Sequence, residues 1–257
     1  MALLDIKNLS IQFGGLKAVN NFNLSLEDGE LVAVIGPNGA GKTTVFNMLT
    51  GLYKPTEGEI LFNGSSLVGL KPHDFTERGL ARTFQNIRLF NNATVLDNIK
   101  IAFTLQVKYS LREALFRTRK FHTVEDDLEI KSMELLKILN LDKKADFLAK
   151  NLPYGEQRRL EIARALATNP KILLLDEPAA GMNPNEIDDL VALIKEIKEK
   201  FKLTVLLIEH HMNVVMTIAD RIKVLDFGET IAEGIPEEIQ KNPKVIGAYL
   251  GGGHKEC

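Results

Sequence analysis

The chain has 257 residues, of which 45% are hydrophobic and 26% are charged, and its formal net charge is −2. These are ordinary values for a globular protein, and the small net charge excludes a general basic field for nucleic acid. No apolar run approaches the roughly 20 residues that span a bilayer. The N-terminus lacks the basic and apolar regions of a signal peptide, and the single Cys257 cannot form an internal disulfide, so we expect a cytoplasmic, reduced protein.

Alternating apolar and polar residues at 3–9 and 23–26 predict two edge strands at the start of the chain. Between them, Phe13 precedes Gly14 and Gly15. The ring could therefore stand exposed beside a turn and stack on a nucleobase. From the local sequence alone, packing in the core is the favoured interpretation.

A phosphate-binding loop follows. Residues 31–35 form an apolar run typical of a buried strand, a helical pattern begins at Lys42, and the segment between them matches G-x-x-x-x-G-K-[ST]. The glycines let backbone N–H groups turn toward a phosphate, whereas a chance glycine turn would not need these flanking elements. We expect Lys42 to reach the β- and γ-phosphates and the Thr43 hydroxyl to bind Mg²⁺. The predicted nucleotide contacts are Gly36, Pro37, Asn38, Gly39, Ala40, Gly41, Lys42, Thr43 and Thr44.

The middle of the chain is mainly helical in pattern. A short strand at 59–63 ends in an Asn-Gly turn, and a helix begins after residues 91–94, capped by Thr94 or Asn92. Residues 108–122 are locally basic and carry an apolar stripe at helical spacing. This pattern indicates either an amphipathic helix near an anionic surface or the solvated face of a subdomain helix, and the second is favoured. A further helix is expected at 124–139, with acidic residues early, where they favour the helix dipole.

The last third of the chain alternates helices with buried strands. A helix that starts near Pro153 and ends at Asn169-Pro170 precedes an apolar strand at 171–175. A helix at 184–200 and a second apolar strand at 203–208 follow. Strands at 222–225 and 230–232 then form a closing pair, and a helical piece at 233–250 is broken near Pro243. Residues 251–257 are expected to be a frayed end, where a metal site is possible but disfavoured.

Polar side chains follow the two apolar strands, at the sheet edge where open α/β sheets place ligand groups. Asp176 is expected to hold Mg²⁺ through water beside Thr43, and Glu177 to accept a proton from, or to orient, a water that attacks the γ-phosphorus. Two adjacent acids can also be a solvated turn, but the strand-end position disfavours this. His210 could bind the γ-phosphate, although taken alone it is ambiguous, and Gln85 alone is a weak signal.

Taken together, the motifs resemble the ATP-binding subunit of an ABC transporter. The resemblance rests on the order and spacing of five segments over residues 3–250, namely 36–43, Arg82-Thr-Phe-Gln85, 152–164, Asp176-Glu-Pro178 and Glu209-His210. It implies that Phe13 stacks on adenine, reversing the local preference, and that Gln85 reaches Mg²⁺ and links to a transmembrane partner. It also implies that the signature segment, with Tyr154, Gly155 and Glu156, binds the γ-phosphate held by the other subunit, and that residues 180–183 contact that subunit.

The signature departs from the usual L-S-G-G-Q. Pro153 replaces the serine and supplies neither a hydroxyl nor an N–H, while Glu156 adds a negative charge whose side chain we expect to point away from phosphate. Asn183 stands where aspartate is commoner, and His211 where an acid is frequent. Because the family's lysine, both acids and the histidine are present, we expect competent hydrolysis.

The motifs are also similar to the larger ATPase subunit of branched-chain amino acid importers; urea or amide importers and the lipopolysaccharide-export ATPase share much of the pattern. A soluble ATPase acting on DNA or ribosomes is disfavoured, since there is no coiled-coil insertion or second ATP domain. A third alternative, a non-hydrolytic nucleotide-binding regulator, is suggested only by the altered signature. The resemblance implies ATP and Mg²⁺ as ligands. It implies transmembrane permeases and a second ATPase copy or sister subunit as partners, only indirect contact with a binding protein, and no nucleic acid. It also implies a peripheral location on the cytoplasmic face of the membrane.

We therefore expect an α/β fold, a P-loop NTPase core of the ABC type with a mixed sheet and a helical subdomain. The predicted divisions are residues 1–90 (first part of the core), 91–164 (helical subdomain with the signature), 165–235 (second part of the core) and 236–257 (C-terminal helical extension and tail).

Overall fold

The computed structural model describes residues 2–107 and 109–250. Lys108, Cys257 and the predicted frayed end at 251–257 lie outside the described residues. The chain forms two compact units, one made of Met1–Arg82 with Lys171–Cys257 and the other of Thr83–Pro170. Within the described ranges, every helix is too short or too polar to cross a bilayer.

The secondary structure comprises ten strands and ten α-helices within the described residues. The strands are β1 (Leu4–Phe13), β2 (Leu16–Leu26), β3 (Leu31–Ile35), β4 (Glu57–Phe62), β5 (Ser65–Ser66), β6 (Leu80–Arg82), β7 (Ile172–Asp176), β8 (Thr204–Ile208), β9 (Arg221–Asp226) and β10 (Glu229–Gly234). The helices are α1 (Lys42–Met48), α2 (Pro72–Glu77), α3 (Val95–Phe103), α4 (Leu111–Leu115), α5 (Arg119–Ile138), α6 (Tyr154–Ala167), α7 (Pro184–Phe201), α8 (Met212–Ile218), α9 (Pro236–Lys241) and α10 (Pro243–Leu250).

The smaller sheet of the first unit is antiparallel, in the order β2-β1-β4-β5. The prediction that the first strand lies at an edge is wrong, because β1 pairs on one side with β2 and on the other with β4. An antiparallel strand with one solvated face shows the same alternation wherever it lies in the sheet, so the pattern cannot distinguish the two positions. The second strand, β2, does lie at the edge.

The polar residues predicted to form the site lie at the ends of strands of the larger sheet. Its order is β10-β9-β3-β8-β7-β6; β10 is antiparallel to β9, and the other pairings are parallel, so the predicted mixed sheet is confirmed. Strands β3, β7 and β8 are buried along their whole length. Because these parallel strands all end at one edge, the sheet brings together the segments that follow Ile35, Asp176 and Ile208.

The core of the first unit lies between the two sheets and α1. Phe22 from β2, Val34 from β3 and Phe46 from α1 all belong to one cluster of buried residues. Full burial of each such side chain stabilises the fold by about 1.5–3 kcal/mol. This packing places α1 against β2 and β7, and so holds the loop that connects β3 to α1.

The second unit is helical. Thr94 caps α3 as predicted, since its hydroxyl accepts the backbone N–H of Asp97 at 3.0 Å. The prediction of one amphipathic helix at 108–122 is wrong, because Arg117 adopts a left-handed φ of 44° and separates α4 from α5. Helix α5 begins at Arg119, so the acidic residues at 125–127 lie beyond its first turn, and the predicted dipole interaction is wrong as well.

Candidate functional site

The loop between β3 and α1 has the conformation that a phosphate cradle needs. Gly36, Gly39 and Gly41 have φ values of 150°, 80° and 98°. At Gly36, a Cβ atom would lie 2.1 Å from the carbonyl oxygen of Leu225, and at Gly41 it would lie 2.7 Å from that of Ala18. Glycine is therefore required at both positions for backbone conformation and for space.

Lys42, the first residue of α1, extends its side chain back into this loop and is only 5% exposed. Its Nζ donates to the carbonyl oxygens of Gly36, at 2.7 Å, and Pro37, at 2.9 Å, which uses two of its three donors. Burial lowers the pKa of Lys42, against the raising effect of the Glu177 and Asp176 carboxylates. The ammonium group thus closes the loop and lies near Asp176, the last residue of β7, and Glu177, which follows it.

Glu177 and His210 meet at the ends of β7 and β8. His210 Nε2–H donates to Glu177 Oε1 at 2.7 Å, and the two side chains are 34% and 12% exposed, respectively. Glu177 has a left-handed φ of 46°, and its N–H donates to the carbonyl of Ile208 at 2.9 Å. A non-glycine residue in this region is strained, and such strain clusters at functional sites. The strained backbone holds the carboxylate beside the imidazole.

Asp176 forms a buried ion pair that the sequence reasoning missed. Arg82 Nη2 donates to its carboxylate at 2.6 Å, and both side chains are at most 5% exposed. Arg82 Nη1 also donates to the side chains of Asn47, at 2.8 Å, and Thr50, at 3.1 Å. The guanidinium therefore ties the end of β6 to β7 and to the segment that begins with α1.

Glu209 has a structural role that the sequence reasoning did not assign to it. Its carboxylate is 1% exposed and accepts the backbone N–H groups of Ala179 (2.8 Å), His210 (2.8 Å) and His211 (3.1 Å). His211 Nδ1 lies 3.2 Å from the same carboxylate. One buried side chain therefore fixes both the segment after β7 and the segment after β8, which carry Glu177 and His210.

Most of the predicted site residues in the first unit line one cavity of about 380 Å³. It is lined by Leu16, Lys17, Ala18, Asn38, Gly39, Ala40, Gly41, Lys42, Thr43, Thr44, Glu177, His210 and Phe227. Gly36 and Pro37 lie at the start of the same loop. The cavity therefore holds backbone N–H groups, a cation and the Glu177–His210 pair in one volume.

Phe13 is 45% exposed, so the core packing that its local sequence favoured is wrong. Its ring lies edge-to-face on Tyr53, with the centroids 5.3 Å apart, and Phe13 is not among the described residues that line the cavity. Leu16, 69% exposed, lines the cavity from the same hairpin. The predicted stacking of Phe13 on adenine stays a prediction.

In the second unit, a buried ion pair holds the segment that contains Gln85. Arg158 is fully buried and donates to Glu161 at 2.7 Å and to the backbone oxygens of Phe84, at 2.6 Å, and Gln85, at 2.8 Å. Glu161 accepts the N–H groups of Phe84 and Arg88, both at 3.2 Å. Burial raises the pKa of Glu161, against the lowering effects of Arg158 and these N–H groups. The backbone around Gln85 is therefore rigidly placed.

The signature segment begins α6 in the same unit. Pro153 precedes the first helical residue, Tyr154, whose ring is 44% exposed, and Gly155 follows in the first turn. The Glu156 carboxylate accepts two hydrogen bonds of 2.6 Å from Lys144 Nζ. The negative charge that Glu156 adds is thus balanced within this unit.

The donor chemistry of the first unit fits a magnesium ion. Thr43 and Asp176 supply hard oxygen atoms of the kind that Mg²⁺ prefers. Asp176 ends β7, and Thr43 lies in the first turn of α1, after the loop that follows β3. Among residues 2–107 and 109–250, no three His, Cys, Asp or Glu side chains form a metal cluster of their own.

Comparison with protein families gives two matches. The model described as ABC transporter matches residues 19–180. The model described as Branched-chain amino acid ATP-binding cassette transporter matches residues 229–255. The first match includes the phosphate loop and both acids after β7, and the second covers the end of the chain.

Curated relatives and solved structures agree with these matches. The chain is 48% identical to the high-affinity branched-chain amino acid transport ATP-binding protein BraF of Pseudomonas aeruginosa and 49% identical to LivG of Escherichia coli, in both cases over 97% of this chain and 98% of the relative. It matches the ADP conformation of the ABC transporter cassette MJ1267 with a TM-score of 0.84 and 32% identity, over 98% of this chain and 99% of that one. The dimeric cassette MJ0796, in a post-hydrolysis state bound to ADP and Pi, matches with a TM-score of 0.76 and 28% identity, over 91% and 98%.

Proposed function

Since the chain belongs to the ABC transporter family, we propose that it is the ATP-hydrolysing subunit of an importer that takes up branched-chain amino acids. The observation that carries the hydrolytic role is the 2.7 Å hydrogen bond between Glu177 and His210 inside the cavity that the phosphate loop lines. The substrate class rests on the family model that matches residues 229–255 and on the names of the relatives.

In this proposal, ATP places its phosphates along the loop of residues 36–44. The inward N–H groups of the loop donate hydrogen bonds to the β- and γ-phosphate oxygens. The ammonium group of Lys42 moves from the carbonyls of Gly36 and Pro37 to the phosphates. The exchange needs only rotation of a flexible side chain, because Nζ already lies within the loop. Phe13 is retained as the ring that stacks on adenine.

Glu177 orients the attacking water, and His210 positions Glu177. The carboxylate accepts a hydrogen bond from the water and so directs its lone pair toward the γ-phosphorus. His210 fixes the carboxylate from the other side through Nε2–H, which can instead donate to a γ-phosphate oxygen when ATP is bound. The water oxygen attacks the γ-phosphorus as the bond from that phosphorus to the bridging β-phosphate oxygen breaks. Glu177 accepts the proton that the water loses and returns it to the phosphate, so that ADP and inorganic phosphate result.

Thr43 and Asp176 would hold Mg²⁺, through the threonine hydroxyl and a carboxylate that also binds Arg82. When bound, the ion neutralises charge on the phosphate oxygens. Gln85 as an additional ligand stays a prediction.

We further propose that two ATPase subunits, either two copies or this chain with a sister subunit, close on ATP against transmembrane permeases. The dimeric MJ0796 cassette bound to ADP and Pi supports this arrangement. The signature of one subunit, including Tyr154, Gly155 and Glu156, would complete the site of the other. Pairing of Glu156 with Lys144 leaves the backbone N–H groups at the start of α6 as the phosphate donors. The chain would then work at the cytoplasmic face of the membrane, with only indirect contact with a binding protein.

The hydrolytic role is tested with Glu177→Gln. We expect phosphate release to fall at least about 100-fold, because a positioned base contributes that much, while MgATP still binds and light scattering reports an ATP-dependent dimer. Glu57→Gln, an exposed change on β4, is the matched control and should hydrolyse ATP normally. Equal turnover by Glu177→Gln and the unchanged chain would remove Glu177 from the mechanism.

The transport role is tested separately, in cells that lack this chain. Uptake of labelled leucine should return with the unchanged chain and not with Glu177→Gln. Purification of the tagged chain from detergent-solubilised membranes should recover permeases with several membrane spans. Normal ATP hydrolysis with restored urea uptake but no leucine uptake would reject the branched-chain substrate and keep the ATPase.

A further inference from the structure

The short helix α4 in the second unit, with the residue that follows it, exposes three large apolar side chains to solvent. Leu111, Leu115 and Phe116 are 91%, 78% and 75% exposed. The most exposed large apolar residue elsewhere in the described part of this unit is Ile130, at 60%. Single exposed apolar residues are normal, but three on one helical turn indicate an interaction surface.

The orientation of α4 is fixed by polar contacts on its other side. At 100° per residue, positions 111, 112, 115 and 116 fall within an arc of about 140°, whereas Glu113 and Ala114 lie outside it and are partly buried. The Ser110 N–H donates to Glu113 at 2.6 Å, and Lys120 donates to the same carboxylate at 2.9 Å. These bonds hold the charged side inward and leave the apolar side outward.

The segment before α4 is anchored as well. The Tyr109 hydroxyl donates to Glu125 at 2.8 Å, and its ring lies edge-to-face on Phe121 with the centroids 5.1 Å apart. At the other end, the left-handed Arg117 turns the chain into α5. Tyr109 and Phe121 could have packed against the outward residues of α4, but they pack on each other instead.

The charge around the apolar residues is positive. Arg112, Arg117 and Arg119 are exposed and form no ion pair with any residue in the described ranges, whereas Lys120 is neutralised by Glu113. The whole chain has a net charge of −2, so this cluster opposes the overall sign. Apolar side chains flanked by unpaired cations on one side of a short helix are complementary to a surface that is apolar inside and anionic at its rim.

We propose that α4 docks on an anionic phospholipid bilayer. Leu111, Leu115 and Phe116 enter the boundary between headgroups and acyl chains, and the three arginines contact lipid phosphates. We choose a bilayer over a protein pocket because three exposed arginines lie beside the apolar side chains, and lipid phosphates offer many anionic groups at the height where these arginines would lie. The inference is independent of the proposed transport substrate and of hydrolysis.

The absence of tryptophan from the sequence allows a direct test on the full-length chain. Phe116→Trp places one fluorophore on the proposed surface, and Ile130→Trp places one on α5 as the matched control. The probe is vesicles of phosphatidylcholine with about one third phosphatidylglycerol, at about 0.15 M salt. The emission of Phe116→Trp should shift to the blue and be quenched by brominated lipid, and the emission of Ile130→Trp should not change.

Affinity variants separate the apolar and electrostatic contributions. In vesicle co-sedimentation, Leu111→Ser with Leu115→Ser should weaken binding at least about tenfold. Changing Arg112, Arg117 and Arg119 to Gln should weaken binding to anionic vesicles about 100-fold, at about fivefold per charge. Lys143→Gln, an exposed change elsewhere in the unit, is the control. All variants should keep the urea midpoint and ATP hydrolysis of the unchanged chain.

Three results would overturn the proposal. The first is equal affinity of the chain for pure phosphatidylcholine vesicles and for anionic vesicles. The second is an affinity of the α4 variants for anionic vesicles equal to that of the unchanged chain. Alternatively, Phe116→Trp responds only when permease protein is present in the vesicles, in which case the surface is a protein interface.

Discussion

Replacing Glu209 with glutamine exchanges one carboxylate oxygen for an NH₂ group inside a cluster of hydrogen-bond donors. The best orientation of the new side chain keeps its oxygen on His210 and His211 and turns its NH₂ toward the Ala179 N–H, where the native distance to oxygen is 2.8 Å. A hydrogen bond to a charged group contributes about 1.5–3 kcal/mol, and a buried donor without a partner costs about 1–3 kcal/mol. We therefore expect the free energy of unfolding to fall by about 3 kcal/mol.

The same change should slow hydrolysis, because the Ala179 and His210 segments carry the groups that orient the attacking water. A misplacement of about 1 Å costs up to about 100-fold in rate, so we expect kcat to fall by about 10- to 100-fold while ATP affinity stays near that of the unchanged chain. Urea unfolding and phosphate release measure the two effects. Glu57→Gln should change stability by less than about 0.5 kcal/mol. Equal stability and kcat in Glu209→Gln and this control would refute the reasoning.

Two further substitutions test the geometry of the site. Gly36→Ala should destabilise the fold by about 3 kcal/mol and abolish ATP binding, since its Cβ would lie 2.1 Å from the Leu225 oxygen; Gly15→Ala, which meets nothing within 4 Å, is the control, and normal ATP binding by both would contradict the expectation. Arg82→Ala should lower the free energy of unfolding by about 3–5 kcal/mol, because it leaves the buried Asp176 carboxylate without its guanidinium; a urea midpoint close to that of the unchanged chain would mean that the pair contributes little.

The local motifs could be predicted because their chemistry lies within a few residues. The strand, glycine loop and helix around residues 31–48 form as expected. Each glycine determines the backbone conformation at its own position, so the loop can be recognised from the local sequence. The two apolar strands that deliver Glu177 and His210 could also be recognised, because burial on both faces leaves an unbroken apolar run. The Glu177–His210 bond then follows from the parallel pairing of β7 with β8.

Long-range polar pairs could not be predicted in this way. Arg82 and Asp176 are 94 residues apart, and nothing in the local sequence of either identifies the other. Glu209 precedes the predicted histidine, but its burial depends on two loops that meet only in the folded sheet. At Arg117, periodicity indicated a continuing helix, because the left-handed turn is made by arginine rather than by the glycine that usually marks a helix end.

The pairing of β3 has a consequence for synthesis on the ribosome. Both neighbours of β3, strands β8 and β9, begin about 170 residues or more after it ends. At about 5–20 residues per second, the apolar strand that carries the phosphate loop waits roughly 10–35 s for its first partner. During that interval its exposed backbone is a target for wrong pairing or for a chaperone, so the nucleotide site can form only near the end of translation.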